Sequence, residues 1–145
     1  MIKVIRLNES HAPCLAEIER KCFSAPWSED TLRQALNNPG YVFFGVADDD
    51  ICAYASASIA ADECYIANIA VLPEYRRKGY ARLLVDKLIE HAKKLQMAFI
   101  SLEVRASNNA AISLYESSGF EQAGLRKDFY SNPAEDAVIM TKKLK

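Results

Sequence analysis

The stretch that decides the fold reads Ile66-Ala67-Asn68-Ile69-Ala70-Val71-Leu72-Pro73-Glu74-Tyr75-Arg76-Arg77-Lys78-Gly79-Tyr80-Ala81-Arg82. It predicts an apolar strand that ends at Pro73, then a basic loop, then the start of an amphipathic helix. Gly79 lets the backbone approach a ligand without an intervening Cβ, and the first amides of a helix have no intrahelical acceptor. Free amides and the helix dipole attract anions. Four cations add to this attraction: Arg76, Arg77, Lys78 and Arg82. The stretch therefore indicates an anion site, while a solvated surface turn is the alternative that the loop in isolation leaves open.

The loop lacks the known glycine motifs for binding nucleotides, and this limits the classes of anion that it could bind. Its glycine pattern is neither that of a P-loop nor that of a dinucleotide-binding fingerprint. Only this short segment is basic, and the formal net charge of the chain is -1. A nucleic-acid-binding domain normally has a clear basic excess, so no direct nucleic-acid binding is expected. The pattern favours a polyanionic small molecule.

The composition is that of a globular protein, because 50% of the 145 residues are hydrophobic and 26% are charged. We expect one domain over residues 1–145, with a core that needs no disulfide. No apolar run serves as a signal peptide or has the length of a membrane span. We therefore expect a soluble, cytoplasmic protein.

The cysteines and histidines form no metal or redox motif. The four cysteines contain no C-x-x-C pair, and we expect buried free thiols in a reducing compartment. Neither histidine has a second His or Cys at ligand spacing, so no metal is expected. The residues concerned are Cys14, Cys22, Cys52, Cys64, His11 and His91.

The patterns along the chain predict a mixed sheet. Strands are expected at 2–7, 41–47, 51–59, 64–72, 99–104, 120–126 and 137–144, and helices at 10–23, 28–37, 79–95 and 108–118. The helix that follows the basic loop requires a parallel pair between the strands at 64–72 and 99–104. The other strands can pair antiparallel, which makes the fold class α/β, or α+β by some schemes. The basic loop then lies at the carboxyl end of a parallel strand, the usual place for ligands in open sheets.

Three polar residues stand out in the second half of the chain, each with an ordinary explanation. Glu103 interrupts the apolar run 99–104, where burial without a role is costly, although it could also reach water or pair with Arg105. Tyr115 has helical spacing to apolar neighbours, which is typical of a core aromatic. Asn108 precedes a helix and is a natural N-cap.

Three motifs in order resemble the GNAT superfamily of acetyltransferases: Arg76-x-x-Gly79-x-Ala81 after a strand, Asn108, and Leu114-Tyr115-x-x-x-Gly119-Phe120. Longer runs are similar to the RimI family within it, namely residues 68–71, 102–108 and 114–117, with Pro26-Trp27-Ser28 upstream and Glu135-Asp136-Ala137 downstream. Enzymes of that family acetylate the N-terminal alanine of the eighteenth protein of the small ribosomal subunit.

The resemblance implies acetyl-CoA as co-substrate and a GNAT fold, with helices on both faces of a mostly antiparallel sheet and a splayed parallel pair at the CoA site. It implies Glu103 as proton acceptor for the amine and Tyr115 as proton donor to the leaving thiolate. The acceptor is then a protein N-terminus, contacted by Trp27 and Tyr130. Separately, we expect a monomer or weak dimer. The implied cofactor-binding residues are Ile69, Ala70, Val71, Arg76, Arg77, Lys78, Gly79, Tyr80, Ala81, Arg82 and Asn108.

The acceptor is the part of this interpretation with the most alternatives. The loop 131–134 is shorter than in many relatives of the resembling family, and it helps to form the acceptor groove there. Ala81 stands where relatives also use a glycine, which leaves slightly less room near a pyrophosphate.

Because the acceptor groove differs in this loop, another protein N-terminus, a lysine or a small amine stays open as acceptor. A catalytically silent acyl-CoA-binding module stays open as well.

Overall fold

The computed structural model describes residues 1–145 and contains seven strands in one sheet, four α-helices and two short 3-10 turns. The strands are β1 (Ile2–Arg6), β2 (Tyr41–Asp48), β3 (Asp50–Ala60), β4 (Glu63–Val71), β5 (Phe99–Arg105), β6 (Glu121–Tyr130) and β7 (Glu135–Lys143). The helices are α1 (Ala12–Cys22), α2 (Glu29–Asn37), α3 (Tyr80–Lys94) and α4 (Asn109–Ser117). The 3-10 turns are Glu9–His11 and Pro73–Tyr75.

The strand order β1-β2-β3-β4-β5-β7-β6 contains one parallel pair, β4 with β5, which confirms the predicted mixed sheet. That pair is short, because its register covers only Glu63–Tyr65 on β4 and Phe99–Ser101 on β5. Beyond these residues β4 keeps β3 as its partner up to Val71, while β5 keeps β7 up to Arg105. The two strands therefore diverge at their carboxyl ends and open a gap in the sheet.

Helices cover both faces of the sheet, as predicted, and divide the core into two apolar clusters. One face, here called the α3 face, holds a cluster of 23 buried residues that includes Leu84 and Leu88 of α3 and Tyr115 of α4. The opposite face, the α1 face, holds 10 buried residues that include Leu15 and Ile18 of α1. The helical spacing of these apolar residues gives each helix one buried side. None of the helices is both long and apolar enough to cross a membrane.

The helix starts follow ordinary capping chemistry. The Ser28 side chain caps α2 by accepting a hydrogen bond from the Thr31 amide, and Asn108 accepts one from the Ala111 amide, which confirms the predicted Asn108 N-cap. The first helix differs from the prediction at 10–23. Asn8 caps a 3-10 turn, and the α-helix begins only at Ala12, where a proline in the first turn costs no hydrogen bond.

Only half of the cysteines match the expectation of burial. Cys52 and Cys64 are buried, whereas Cys14 and Cys22 are half-buried because they lie at the edge of α1. Burial raises the pKa of all four thiols, that of Cys64 to about 11. All four are free thiols in the structure.

Candidate active site

The basic loop presents an unbroken run of unpaired backbone amides. Gly79 has φ +82°, a left-handed conformation that glycine adopts without strain, and Arg77 has φ +65°. The amides from Arg77 to Arg82 donate to no protein acceptor, and Leu83 is the first to bond, to the Gly79 carbonyl at 3.2 Å. Successive free amides at a helix N-terminus form a cradle for an anion such as a diphosphate.

The predicted cationic side chains around this cradle are held in different ways. Arg76 donates from Nε to the Val71 carbonyl at 3.0 Å, and Arg82 donates to the Ser117 hydroxyl at 2.6 Å. Lys78 lies 5.4 Å from the centre of the Tyr75 ring. Tyr80 is different, because its side chain is buried and stacks on Tyr75 at 6.4 Å. Only its backbone amide is therefore available to a ligand.

The edge of β4 that faces the gap carries backbone groups without a strand partner. The Leu72 amide bonds to the Cys52 carbonyl on β3, so the Val71 carbonyl in the same peptide unit points the other way. Arg76 and the Cys22 thiol donate to that carbonyl. Directions alternate along a strand, so the amide and carbonyl of Ile69 and the amide of Val71 also face the gap. Ala70 instead turns its backbone toward β3, and its side chain is buried on the α1 face.

A β-bulge in β4 changes which side chains share a face. The register with β3 shifts so that Ser56 pairs with Asn68 and Ala57 with Ile66, which leaves Ala67 as the extra residue. Ile66 and Ile69 consequently both pack on the α3 face. Tyr65 and Asn68, three residues apart, both lie on the α1 face, where they bond to Glu103 and to α1 respectively.

The gap opens into a cavity of about 600 Å³ that brings together the predicted catalytic and acceptor-contacting residues and two of the predicted cofactor-binding residues. Predicted residues that line it are Trp27, Ile69, Glu103, Asn108, Tyr115 and Tyr130. Ala70, Val71 and the basic loop do not line it, because they lie beyond its end along β4 and α3. Lining residues that the sequence analysis did not name as site residues include Glu19 and Asn68.

Glu103 lies on the α1 face with both carboxylate oxygens engaged. The Tyr65 hydroxyl donates to Oε1, and the Arg126 guanidinium forms a salt bridge in which Nε lies 3.0 Å from Oε2. The Glu103 side chain is only 6% exposed, whereas that of Arg126 is 59% exposed. Burial and the adjacent Glu103 charge raise the pKa of Tyr65, so its hydroxyl stays a hydrogen-bond donor. The alternative pairing of Glu103 with Arg105 is wrong, because Arg105 pairs with Glu135 at 3.3 Å.

Tyr115 lies on the α3 face of the sheet, opposite to Glu103, and lines the same cavity. It is 8% exposed and packs in the α3-face cluster, with Phe120 at 5.9 Å between ring centres. Burial raises its pKa to about 12, so the hydroxyl is protonated at neutral pH. That hydroxyl donates to no protein acceptor and keeps some solvent contact. Tyr115 is thus a core aromatic whose hydroxyl, at the cavity wall, is a hydrogen-bond donor without a protein acceptor.

The loop between β6 and β7 is held firmly beside the cavity by Arg105. Its guanidinium donates to the carbonyls of Pro133 at 3.0 Å and Ser131 at 3.3 Å and stacks over the Tyr130 ring at 4.4 Å. Glu135 completes the clamp by accepting from the Ser107 amide at 2.6 Å. These bonds hold the Ser107 amide and the Arg105 charge beside Glu135 and lower its pKa. The short loop is therefore an ordered wall.

The sequence analysis missed four polar residues at the site, and two of them left a readable signal. Glu19 falls on the apolar stripe of α1, where a carboxylate is out of place. Asn68 interrupts the apolar strand of the opening stretch. Tyr65 and Arg126 carried no such signal, because the parallel register of β4 with β5 and the β6–β7 hairpin bring them to Glu103.

The comparisons with known proteins identify the family of the chain. Residues 12–120 match the family model described as the acetyltransferase (GNAT) family. The chain belongs to the GNAT family. Among curated GNAT-related sequences, the ribosomal protein bS18-alanine N-acetyltransferase of Salmonella typhimurium is 38% identical over 139 residues, which is 92% of each chain.

Solved structures give the same assignment. The crystal structure of the ribosomal-protein-S18-alanine N-acetyltransferase from Escherichia coli is 36% identical, with a TM-score of 0.92 over 100% of this chain and 95% of that one. Arabidopsis thaliana NAA60 in complex with acetyl-CoA has a TM-score of 0.89 at 20% identity, over 99% of each chain, a likeness of fold. The GNAT membership expected from the three motifs is confirmed.

Proposed function

We propose that this GNAT protein transfers an acetyl group from acetyl-CoA to the N-terminal α-amine of a protein, and specifically to the N-terminal alanine of ribosomal protein bS18. The observation that carries the proposal is the placement of Glu103 and Tyr115 on opposite faces of the opened β4–β5 pair, beside one cavity. The names of relatives that are 37–38% identical over most of the chain support the ribosomal acceptor.

The donor fits the α3 face. The free amides from Arg77 to Arg82 suit a diphosphate, with the cations of this loop around them. The gap-facing backbone groups of Ile69 and Val71 suit an extended amide-containing arm, and Asn108 lies close by at the start of α4. Acetyl-CoA supplies the acetyl group as a thioester when bound. An unpaired amide of β4 near its carbonyl is an oxyanion donor of the kind that acyl transfer uses.

The acceptor fits the α1 face. An α-amine has a pKa of about 7.7 to 8.0 and loses its proton near neutrality. Deprotonating a lysine amine, whose pKa is about 10.4, costs about 3 kcal/mol more. Glu103 accepts this proton on its carboxylate, while Tyr65 and Arg126 keep the side chain in place. Trp27 and Tyr130 line the acceptor end of the cavity, next to the clamped loop 131–134. They are our candidates for contacts to the first residues of the acceptor.

Tyr115 protonates the departing thiolate from the α3 face. Its hydroxyl is protonated at pH 7 and has no competing protein acceptor, so a hydrogen bond to sulfur strengthens as charge develops there. No residue of the chain needs to form a covalent bond to the acetyl group. The acetyl group is then transferred directly from acetyl-CoA to the amine. We further propose that the enzyme is cytoplasmic and a monomer or weak dimer.

The test is acetylation of synthetic peptides followed by mass spectrometry of the products. A peptide with the N-terminal sequence of bS18 should gain one acetyl group on its α-amine. The same peptide with a blocked α-amine and a free lysine should gain none. Acetylation of the lysine alone would assign another acceptor class, and acetyl-CoA binding without any product would assign a silent acyl-CoA-binding module.

A further inference from the structure

Glu19 is a buried carboxylate that the proposed chemistry does not use. It lies on α1, is 1% exposed and occupies the same helical stripe as Leu15 and Ile18. It takes part in no ion pair. A buried carboxylate without a cation is costly unless several hydrogen bonds satisfy it.

Three neutral donors from three different elements converge on Glu19. The Trp27 amide, in the segment between α1 and α2, donates to Oε1 at 2.8 Å. The Tyr54 hydroxyl on β3 donates to Oε2 at 2.5 Å. The Asn68 side-chain amide, one residue after the β4 bulge, donates to Oε2 at 3.3 Å and to the Tyr54 hydroxyl at 3.0 Å. A carboxylate suits three donors because it only accepts, whereas a glutamine would point its NH₂ at one of them.

This network joins two walls of the cavity. Glu19, Trp27 and Asn68 all line it, together with Glu103. Burial and the Glu19 charge raise the pKa of Tyr54, so its hydroxyl remains a donor to the network. The segment 23–28 makes no direct hydrogen bond to the sheet, and its Trp27 amide is linked to β3 and β4 through the Glu19 carboxylate.

We propose that Glu19 is a positioning residue for the acceptor: it holds the Trp27 segment against the bulged part of β4 and so sets the width of the acceptor end of the cavity. The inference rests on the proposed function for the identity of the acceptor. Glu19 acts through Trp27 and Asn68, and it has no contact with the anion cradle of α3. Its loss should therefore weaken acceptor binding while acetyl-CoA binding is unchanged.

The experiment uses Trp27 as a built-in probe, because it is the only tryptophan of the chain. Peptide of bS18 sequence is titrated into the full-length wild type and into Glu19→Gln while Trp27 emission is followed. We expect emission in Glu19→Gln shifted to longer wavelength and the peptide Kd raised about tenfold, a typical loss for one charge-assisted hydrogen bond. Steady-state kinetics should show the same rise in peptide KM, with the acetyl-CoA KM within about twofold of wild type.

Two variants serve as matched controls. Ile18→Val changes a buried neighbour of Glu19 on α1 outside the network, and both substrate constants should stay at wild-type values. Tyr54→Phe removes one donor and leaves Glu19 bonded to Trp27, so it should show a smaller rise in peptide KM. Should Glu19→Gln not fold, Tyr54→Phe decides the question by the same split between the two substrates.

The outcomes separate this inference from the proposed function. An unchanged peptide Kd in folded Glu19→Gln, or an equal rise in both KM values, overturns the positioning role. A wild type that binds the peptide in the Trp27 titration but acetylates none overturns the proposed function alone, because the comparison of peptide Kd with Glu19→Gln still tests the positioning role. A wild type that does not bind the peptide overturns both.

Discussion

The groups proposed to bind the diphosphate come from one continuous segment, whereas the polar groups on the α1 face come from five helices and strands. The cradle from Arg77 to Arg82 needs only a left-handed Gly79 and a helix start. The polar site opposite joins α1, β3, β4, β5 and β6 through the partners of Glu19 and Glu103. Backbone amides bind any diphosphate in a similar way, but an acceptor is selected by side chains from distant parts of the chain. The proposed donor side therefore depends on local backbone geometry, and the proposed acceptor side depends on the packing of distant elements.

The largest expected effect tests Glu103 on the acceptor side. Glu103→Gln should lower kcat about 100-fold, within the usual range for loss of a general base, while acetyl-CoA binding measured by calorimetry stays unchanged. Glu63→Gln is the matched control, because Glu63 lies on the same face and bonds to Ser101, away from the main cavity. A kcat within threefold of wild type in Glu103→Gln would remove the base from the proposed mechanism.

Tyr115→Phe tests the acid on the donor side. It should lower kcat about tenfold or more, because the leaving thiolate loses its proton donor. The apolar packing against Phe120 remains, so the melting temperature should change little. Phe120→Leu controls for that packing and should affect the melting temperature more than kcat. Equal losses of kcat in both variants would mean that Tyr115 is only a core residue.

Gly79→Ala tests whether the cradle depends on backbone conformation. An added Cβ meets nothing within 4 Å, but φ +82° is strained for alanine, at a cost of about 1–3 kcal/mol. We expect the Kd for acetyl-CoA to rise about tenfold while the peptide KM is unchanged. Gly124→Ala, at a glycine without positive φ, should leave both constants unchanged. A rise in peptide KM alone in Gly79→Ala would contradict the division between the two faces.

Arg105→Lys tests the clamp on the loop 131–134. The charge remains, but the forked contacts to Ser131 and Pro133 and the stacking on Tyr130 are lost. We expect about a threefold rise in peptide KM and faster limited proteolysis of the loop. Arg33→Lys, at an exposed pair on α2, is the control. An unchanged loop and KM would show that the clamp has no part in acceptor binding.

The smallest effect concerns pH. Tyr115 must be protonated to act, and its pKa is raised to about 12, so activity through this group is lost only as pH rises toward that value. The kcat should show no descending limb between about pH 8 and 10. The kcat/KM for the peptide should rise through about pH 8, where the acceptor amine loses its proton. A fall in kcat near pH 9 in wild type, absent in Tyr115→Phe, would contradict the raised pKa.

Much of the fold was predictable because its signals are local. The order of strands and helices, the Ser28 and Asn108 caps and the β4–α3–β5 crossover follow from residues that are neighbours in the chain. The pairing of Glu103 was not predictable. Arg105 is its near neighbour, but Arg126 reaches it through the hairpin of β6 and β7.

By itself the sequence determined the anion cradle, because free helix amides, a left-handed glycine and adjacent cations are properties of one short segment. It also determined that Glu103 and Tyr115 would stand on a strand and a helix that follow this segment. The tertiary structure alone decided the polar cluster on the α1 face, which we propose as the acceptor side. The bulge at Ala67 places both Tyr65 and Asn68 on the α1 face, against simple strand alternation. Only the folded sheet brings Glu19 and Tyr54 to Asn68, and Arg126 to Glu103.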